Sequence, residues 1–206
     1  MKILDIIEKY GDEFNPHAYT SYISDTQFDD RSALINYCVI REIKPTVIVE
    51  FGTKWGRCTH DILLALLKNS NDFVFKPYEL ENDMRKQSQE NLDKAFGDQA
   101  PIIGGDITLA TDIPKNIDYL FIDNYHDRET TKWVFQHLIP QHCHSGTVVQ
   151  IHDLPFSGDN WHSNKAFLEE GNYMFELYKN GKFPLKKIYF TYEEGNKMES
   201  TWWEVK

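Results

Sequence analysis

Cysteine is scarce in this 206-residue chain: Cys38, Cys58 and Cys143 only. An odd, scattered trio builds no disulfide framework and fits a reducing compartment. Long apolar runs are missing too. None approaches the roughly 18 residues of a membrane span, and the opening MKILDIIEKY lacks the apolar core of a secretory signal. Basic residues are outnumbered, 22 Lys and Arg against 32 Asp and Glu, for a net charge of −10. A phosphate-backbone binder needs a basic face, so nucleic acid is disfavoured. There is no low-complexity tract and no internal repeat. Together these absences predict a cytoplasmic protein with neither nucleic-acid nor membrane partners. What the chain does have is aromatic content, 14%, and enough length to bury roughly three quarters of its unfolded surface without a staple. At about 150 residues per domain, it reads as one domain with accessories.

Ile3, Leu4, Ile6 and Ile7 mark a short helix ending at Gly11, and Leu34, Ile35, Cys38, Val39 and Ile43 mark a second, ending before Pro45. Strand and helix patterns then alternate. Strands are expected at 46–51, 73–80, 101–107, 117–123 and 146–153, with helices after the first, second, fourth and fifth, the last near 164–179. Continuous β-branched runs such as TVIVEF suit strands buried on both faces. Pro77 donates no ladder hydrogen bond, so a bulge is expected there. LKKIYFTY (185–192) and STWWEVK (200–206), joined by EEGNKME, read as an antiparallel hairpin. The fold class is α/β, a doubly wound, mostly parallel sheet with right-handed crossovers and an antiparallel C-terminal hairpin.

In such sheets ligands bind beyond the carboxyl ends of the strands. Gly52 and Gly56 flank the turn after the first strand. They match neither the dinucleotide fingerprint nor the P-loop, but they let backbone approach a ligand at a helix start; a plain tight turn fits them equally. Glu50 precedes them and is expected to face a cationic or amine group. After the second strand Glu79, or alternatively Glu81, is placed to accept ribose hydroxyls. Asp106, after Gly104-Gly105, suits an adenine amine or a turn cap. Asp123 ends the fourth strand, and His152 and Asp153 end the fifth. Two carboxylates and an imidazole on adjacent strand ends can hold a divalent ion, or can simply be a loop cap and a core histidine. His126, three residues past Asp123, is a candidate general base. His142-Cys143-His144 lacks a second ligand pair at zinc spacing.

The order of these motifs, Glu50-x-Gly52-Thr53-x-x-Gly56-x-Cys58, then Glu79, then Gly105-Asp106, then FIDNYH and IHD, resembles class I S-adenosylmethionine-dependent methyltransferases. It is most similar to small-molecule O-methyltransferases of the macrolide-sugar and cephalosporin type. The resemblance covers residues 45–206 and leaves 1–44 as an N-terminal helical cap. It implies a seven-stranded Rossmann-like sheet with S-adenosyl-L-methionine bound by Glu50, Gly52, Thr53, Gly56, Glu79, Asp106 and Asp123. It also implies Mg²⁺ or Mn²⁺ on Asp123, His152 and Asp153, with Asp123, His126 and His152 as catalytic groups. The acceptor implied is a small hydroxylated molecule such as a sugar or polyphenol, lined by residues 1–44 and by the loop 155–164 with Trp161 and His162; a homo-oligomer would help cover the site. Asn124-Tyr125 stand where the family carries smaller residues, and Lys54-Trp55 add bulk to the cofactor loop.

Two other functions remain open at this stage. One is a metal-dependent hydrolase built on His126-Asp127 and His152-Asp153. The other is a non-catalytic, nucleoside-binding interaction module.

Overall fold

A computed structural model describes residues 3–15, 30–70, 72–153, 165–190 and 200–206. The chain forms two compact units, Met1–Pro114 and Lys115–Lys206.

In the first unit, α1 (Ile3–Tyr10) buries Ile3 and Ile6 and packs on α2 (Asp30–Ile43), which packs on α3 (Arg57–Asn69). Before Pro45, Lys44 takes a left-handed conformation (φ 49°) and its N–H donates to the Ile40 carbonyl, ending α2 where the sequence predicts. β1 (Val47–Phe51) pairs in parallel with β2 (Val74–Tyr78), from Val47 opposite Val74 to Phe51 opposite Tyr78. α3 makes the crossover and buries Ile62, Leu63 and Leu66, while the polar α4 (Asn82–Phe96) buries only Ser88, Asn91 and Leu92.

Pro77 sits in β2 without the expected bulge: the register with β1 is unbroken. In a parallel strand a residue's N–H and C=O point to the same side. The Pro77 carbonyl accepts from Gly104 N at 2.9 Å, so the missing N–H lies on the side away from β1 and costs that pairing nothing. The strand expected at 101–107 is likewise absent and shrinks to one bridge, Tyr78 to Gly104. Pro101 lacks a donor, and consecutive glycines have little to pack on a pleat. Gly104 serves the bridge because a Cβ there would lie 2.6 Å from the Tyr78 ring.

In the second unit, β3 (Ile117–Ile122) and β4 (Cys143–His152) are parallel. Their connection runs through α5 (Arg128–Trp133), a π turn (Val134–Leu138) and α6 (Ile139–His142). Pro140 at the start of α6 has no N–H to return to the preceding turn, and the wider turn lies just ahead of it. α7 (Lys165–Lys179) packs on α5. The C-terminal pair is antiparallel as expected: β6 (Ser200–Val205) pairs with β4 and with β5 (Leu185–Phe190). Tyr119 Oη donates to Gln150 Oε1 at 2.5 Å, and Gln150 Nε2 donates to Ser200 Oγ at 3.1 Å. This buried polar chain across β3, β4 and β6 leaves its members satisfied beside the fully buried Trp202.

The fold is thus the expected α/β class, with strand order β2-β1 in the first unit and β3-β4-β6-β5 in the second. It has six strands among the described residues rather than seven, since 101–107 supplies none. The EEGNKME connection and the loop carrying Trp161 and His162 lie outside the described residues. Among the described residues no helix is long and apolar enough to cross a membrane.

Candidate active site

The first unit carries a loop whose shape is set by backbone. Gly52 (φ 96°) donates its N–H to the Tyr78 carbonyl at 2.9 Å, and Gly56 (φ 91°) donates to the Thr53 carbonyl at 2.7 Å and opens α3. Both φ values are left-handed, where glycine carries no steric penalty. Gly56 has a second reason to lack a side chain: a Cβ there would meet Ser88 Oγ of α4 at 2.6 Å. Asn91 Nδ2, one turn on, donates to the Trp55 carbonyl at 3.0 Å.

Glu79, just past β2, turns its carboxylate onto this loop. Oε2 accepts from Thr53 N (3.0 Å) and Lys54 N (2.7 Å), and Oε1 accepts from Glu81 N at 3.0 Å. Lys54 is itself left-handed at φ 50°. Of the two acids considered for this position, Glu79 is buried on the loop and Glu81 is exposed at the start of α4. Glu50 in β1 is fully buried, and Thr53 Oγ1 is buried with no hydrogen-bond partner among the described residues. Asp106 stands at the opening of a 3₁₀ turn, its Oδ1 accepting from Thr108 N (2.8 Å) and Oγ1 (2.7 Å).

The second unit carries a cluster built from charged side chains. β3 and β4 are parallel with Ile122 opposite Ile151, so the residues that follow, Asp123 and His152, emerge side by side. His152 Nδ1 lies 3.4 Å from Asp123 Oδ2 and 3.6 Å from Asp153 Oδ2. One ligand atom from each of Asp123, His152 and Asp153 falls within 4.8 Å of the others. Asn124 Nδ2 is buried with no hydrogen-bond partner among the described residues. His126 joins from the loop after β3: its backbone is left-handed (φ 55°), its N–H donates to Asn124 Oδ1 at 2.8 Å, and Nε2 lies 3.5 Å from Asp123 Oδ1.

The other nitrogen of His126, Nδ1, meets Glu170 Oε2 of α7 at 2.7 Å, with Glu170 only 2% exposed. Sequence reasoning missed Glu170. The signal is present: Glu170 falls one turn before the buried Tyr173 and Met174, an acid on the apolar stripe of α7.

Charge balance dominates this cluster. Desolvation raises the Asp123 carboxyl, but the charge of His152 and the hydrogen bonds of His126 and His152 outweigh it and hold the group well below the usual carboxylate range. Burial lowers both imidazoles, yet His126 is pushed up to about 10 by Asp123 and Glu170. His152 is pushed up to about 9, chiefly by Asp123.

Other candidates fall elsewhere. Asp127 caps α5, Oδ1 accepting from Glu129 N and Thr130 N and Oδ2 from Thr130 Oγ1. Its carboxylate is committed to the helix start, which weakens a hydrolase pairing with His126. His144 Nε2 meets Asp118 at 3.0 Å, and His142 Nε2 lies 3.3 Å from Lys115 Nζ. Neither joins a three-donor group among the described residues.

A family model described as a methyltransferase domain matches residues 49–154, just over half of the chain. A search of curated proteins finds no match. Among solved structures, an O-methyltransferase from Bacillus cereus in complex with SAH superposes with a TM-score of 0.69 at 14% identity, covering 99% of this chain and 90% of that one. The O-methyltransferase of tomaymycin synthesis from Streptomyces achromogenes, in complex with SAM, gives 0.67 at 16% identity, over 97% and 89%. An SAH-bound methyltransferase from Podospora anserina gives 0.63 at 15%, over 99% and 87%. At these identities the likeness is one of fold.

Proposed function

The chain belongs to the methyltransferase-domain family, and from that premise we propose that it transfers a methyl group from S-adenosylmethionine to a hydroxyl of a small molecule such as a sugar or polyphenol. The observation that carries the reading is the span of the family match, which runs from the strand bearing Glu50 through Asp153 and so takes in both the glycine loop and the acid–imidazole cluster.

The residues of the first unit fit the cofactor. The left-handed Gly52 and Gly56 set the turn of the loop, Thr53 Oγ1, with no hydrogen-bond partner among the described residues, offers a buried hydroxyl, and Glu50 offers a carboxylate for the methionine amine. Glu79 keeps lone pairs for ribose hydroxyls beyond its three backbone bonds. Asp106 serves the adenine end. When bound, S-adenosylmethionine supplies the methyl as an electrophilic sulfonium.

In the second unit, Asp123, His152 and Asp153 form a donor set of two carboxylates and one imidazole, suited to Mg²⁺ or Mn²⁺. When bound, such an ion would supply positive charge that acidifies an acceptor hydroxyl and offsets the charge of Asp123, which raises His152 and, with Glu170, raises His126. His126 takes the hydroxyl proton on Nε2. Asn124 Nδ2, which has no hydrogen-bond partner among the described residues, is a candidate donor to an acceptor oxygen. Methyl transfer is an in-line displacement, so the site has to hold the acceptor hydroxyl opposite the bond from sulfur to the methyl group.

The test is calorimetry with S-adenosylhomocysteine, with and without Mg²⁺, alongside turnover of 3,4-dihydroxybenzoate. Wild type is expected to bind, and Asp153→Ala to bind within about threefold while turnover falls by about 100-fold or more. Loss of binding in Asp153→Ala would move Asp153 into the cofactor site. Absence of binding by wild type overturns the reading.

A further inference from the structure

We infer that Glu170 is the positioning residue of His126, fixing which ring nitrogen faces the acceptor; the inference rests on the methyl-transfer reading of this cluster. Three observations converge on it. Glu170 and His126 are 44 residues apart and both nearly fully buried, 2% and 4% exposed, so neither side chain drifts into contact from the surface. Their contact is short, Nδ1 to Oε2 at 2.7 Å, and it is a charge-assisted geometry. Among the described residues the Glu170 carboxylate has no other hydrogen-bond role, whereas the neighbouring acid Asp127 is consumed as a helix cap.

The chemistry follows from the two ends of the ring. Nδ1–H donates to Glu170, so Nδ1 is withdrawn from the reaction. Nε2 is left pointing at Asp123, 3.5 Å away, on the side where Asp123, His152 and Asp153 converge. The backbone of His126 cannot settle the ring by itself: it is left-handed, and its N–H is spent on Asn124. A free imidazole turns about χ1 and χ2, and the carboxylate from α7 removes that freedom. An acid that holds one nitrogen of a base so that the other meets the substrate is the arrangement by which second partners typically govern catalytic and metal-bound histidines. The placement also ties the reactive ring to α7, an element that follows the segment matched by the family model.

The experiment uses the full chain labelled with ¹⁵N and compares wild type, Glu170→Ala and Glu170→Gln. In wild type a slowly exchanging ring Nδ1 proton of His126 is expected, assigned by its loss in His126→Gln. Glu170→Ala is expected to lose that resonance and to lower kcat on 3,4-dihydroxybenzoate with Mg²⁺ by about 10- to 100-fold. Its S-adenosylhomocysteine affinity and its KM for S-adenosylmethionine should stay within about twofold. Glu170→Gln keeps an oxygen that accepts from Nδ1–H, so it is expected to retain the resonance and to recover most of the loss in kcat. If Glu170→Ala melts too low to study, the glutamine variant and the wild-type resonance still decide. A folded Glu170→Ala with wild-type turnover overturns the inference, as does a ring proton that persists without Glu170. Wild type that binds no S-adenosylhomocysteine overturns the methyl-transfer reading instead, and the ring proton then still reports whether Glu170 holds His126.

Discussion

The two units make their candidate functional parts from different materials. In the first unit the parts are mainly backbone: two left-handed glycines, the amides of Thr53, Lys54 and Glu81, and one carboxylate that gathers them. In the second unit they are side chains carrying charge, Asp123, His126, His152, Asp153 and Glu170, each within 4 Å of another member. A loop made of backbone is sensitive to volume and to φ. A cluster of charges is sensitive to protonation and to the loss of a single partner. The same kind of substitution therefore does different damage in the two places.

The largest effect is expected where a methyl group is added to the backbone loop. Gly56→Ala forces an L side chain into a left-handed position, costing about 1–2 kcal/mol, and drives a Cβ to 2.6 Å from Ser88 Oγ. Thermal melting should fall by roughly 4–8 °C for a total near 2 kcal/mol, with S-adenosylhomocysteine affinity falling in step. Adding Ser88→Ala removes the collision but not the φ strain, so it should restore about half of the loss. Full restoration would mean that conformation is irrelevant at Gly56 and would break the comparison.

A smaller effect is expected at the carboxylate that gathers the loop. Glu79→Gln keeps one accepting oxygen where the native residue uses two, so amide exchange at Thr53 and Lys54, or at Glu81, should quicken by about tenfold. Read by hydrogen exchange without ligand, unchanged protection of all three amides would show that the loop holds its shape without Glu79.

The mildest effect is graded by pH and separates the units by window. His126 and His152 have raised pKa values, about 10 and 9 against the ordinary 6.5. Their contribution is complete below about 6.5 and is lost as pH rises through 9 to 10. In the first unit, burial pushes Tyr37, Cys38 and Tyr78 up to about 12, so that contribution is lost only as pH climbs from about 9 towards 12. Cys143 in the second unit behaves like Cys38. In chelator, hydrogen exchange corrected for intrinsic rates should loosen β4 and α7 first and α2 later. Simultaneous loosening would contradict the separation.

What can be read from the sequence follows the same division of materials. The strand patterns 46–51, 117–123 and 146–153 are legible because solid apolar runs have no stable place except between layers. The segment 101–107 misleads because PIIGG is apolar in composition, yet a proline and two glycines leave one usable bridge. At Pro77 the expectation of a bulge ignores which side of the strand lacks its donor. Asp123, His152 and Asp153 can be brought together from order alone, since parallel neighbours put successive strand ends side by side. Glu170 cannot, because spacing says nothing about which helix face comes to rest on a loop 44 residues upstream. Glu79 reads as a ligand for ribose; its bonds to Thr53, Lys54 and Glu81 depend on a loop path that spacing does not set.

Lys54 gives that loop a consequence of another kind. Asn, Asp and His tolerate left-handed backbone comparatively well, and Asn116, His126 and Asp153 are of those types, whereas Lys44, at the end of α2, and Lys54 are not. A selection for heat resistance would be drawn to Lys44 and, in the loop, to Lys54→Gly or Lys54→Asn, where strain is relieved without touching the core. Such a lineage would climb in melting temperature while loosening the stretch whose amides Glu79 gathers, the loop proposed above to hold the cofactor, so durability and turnover would be pulled apart at a single codon.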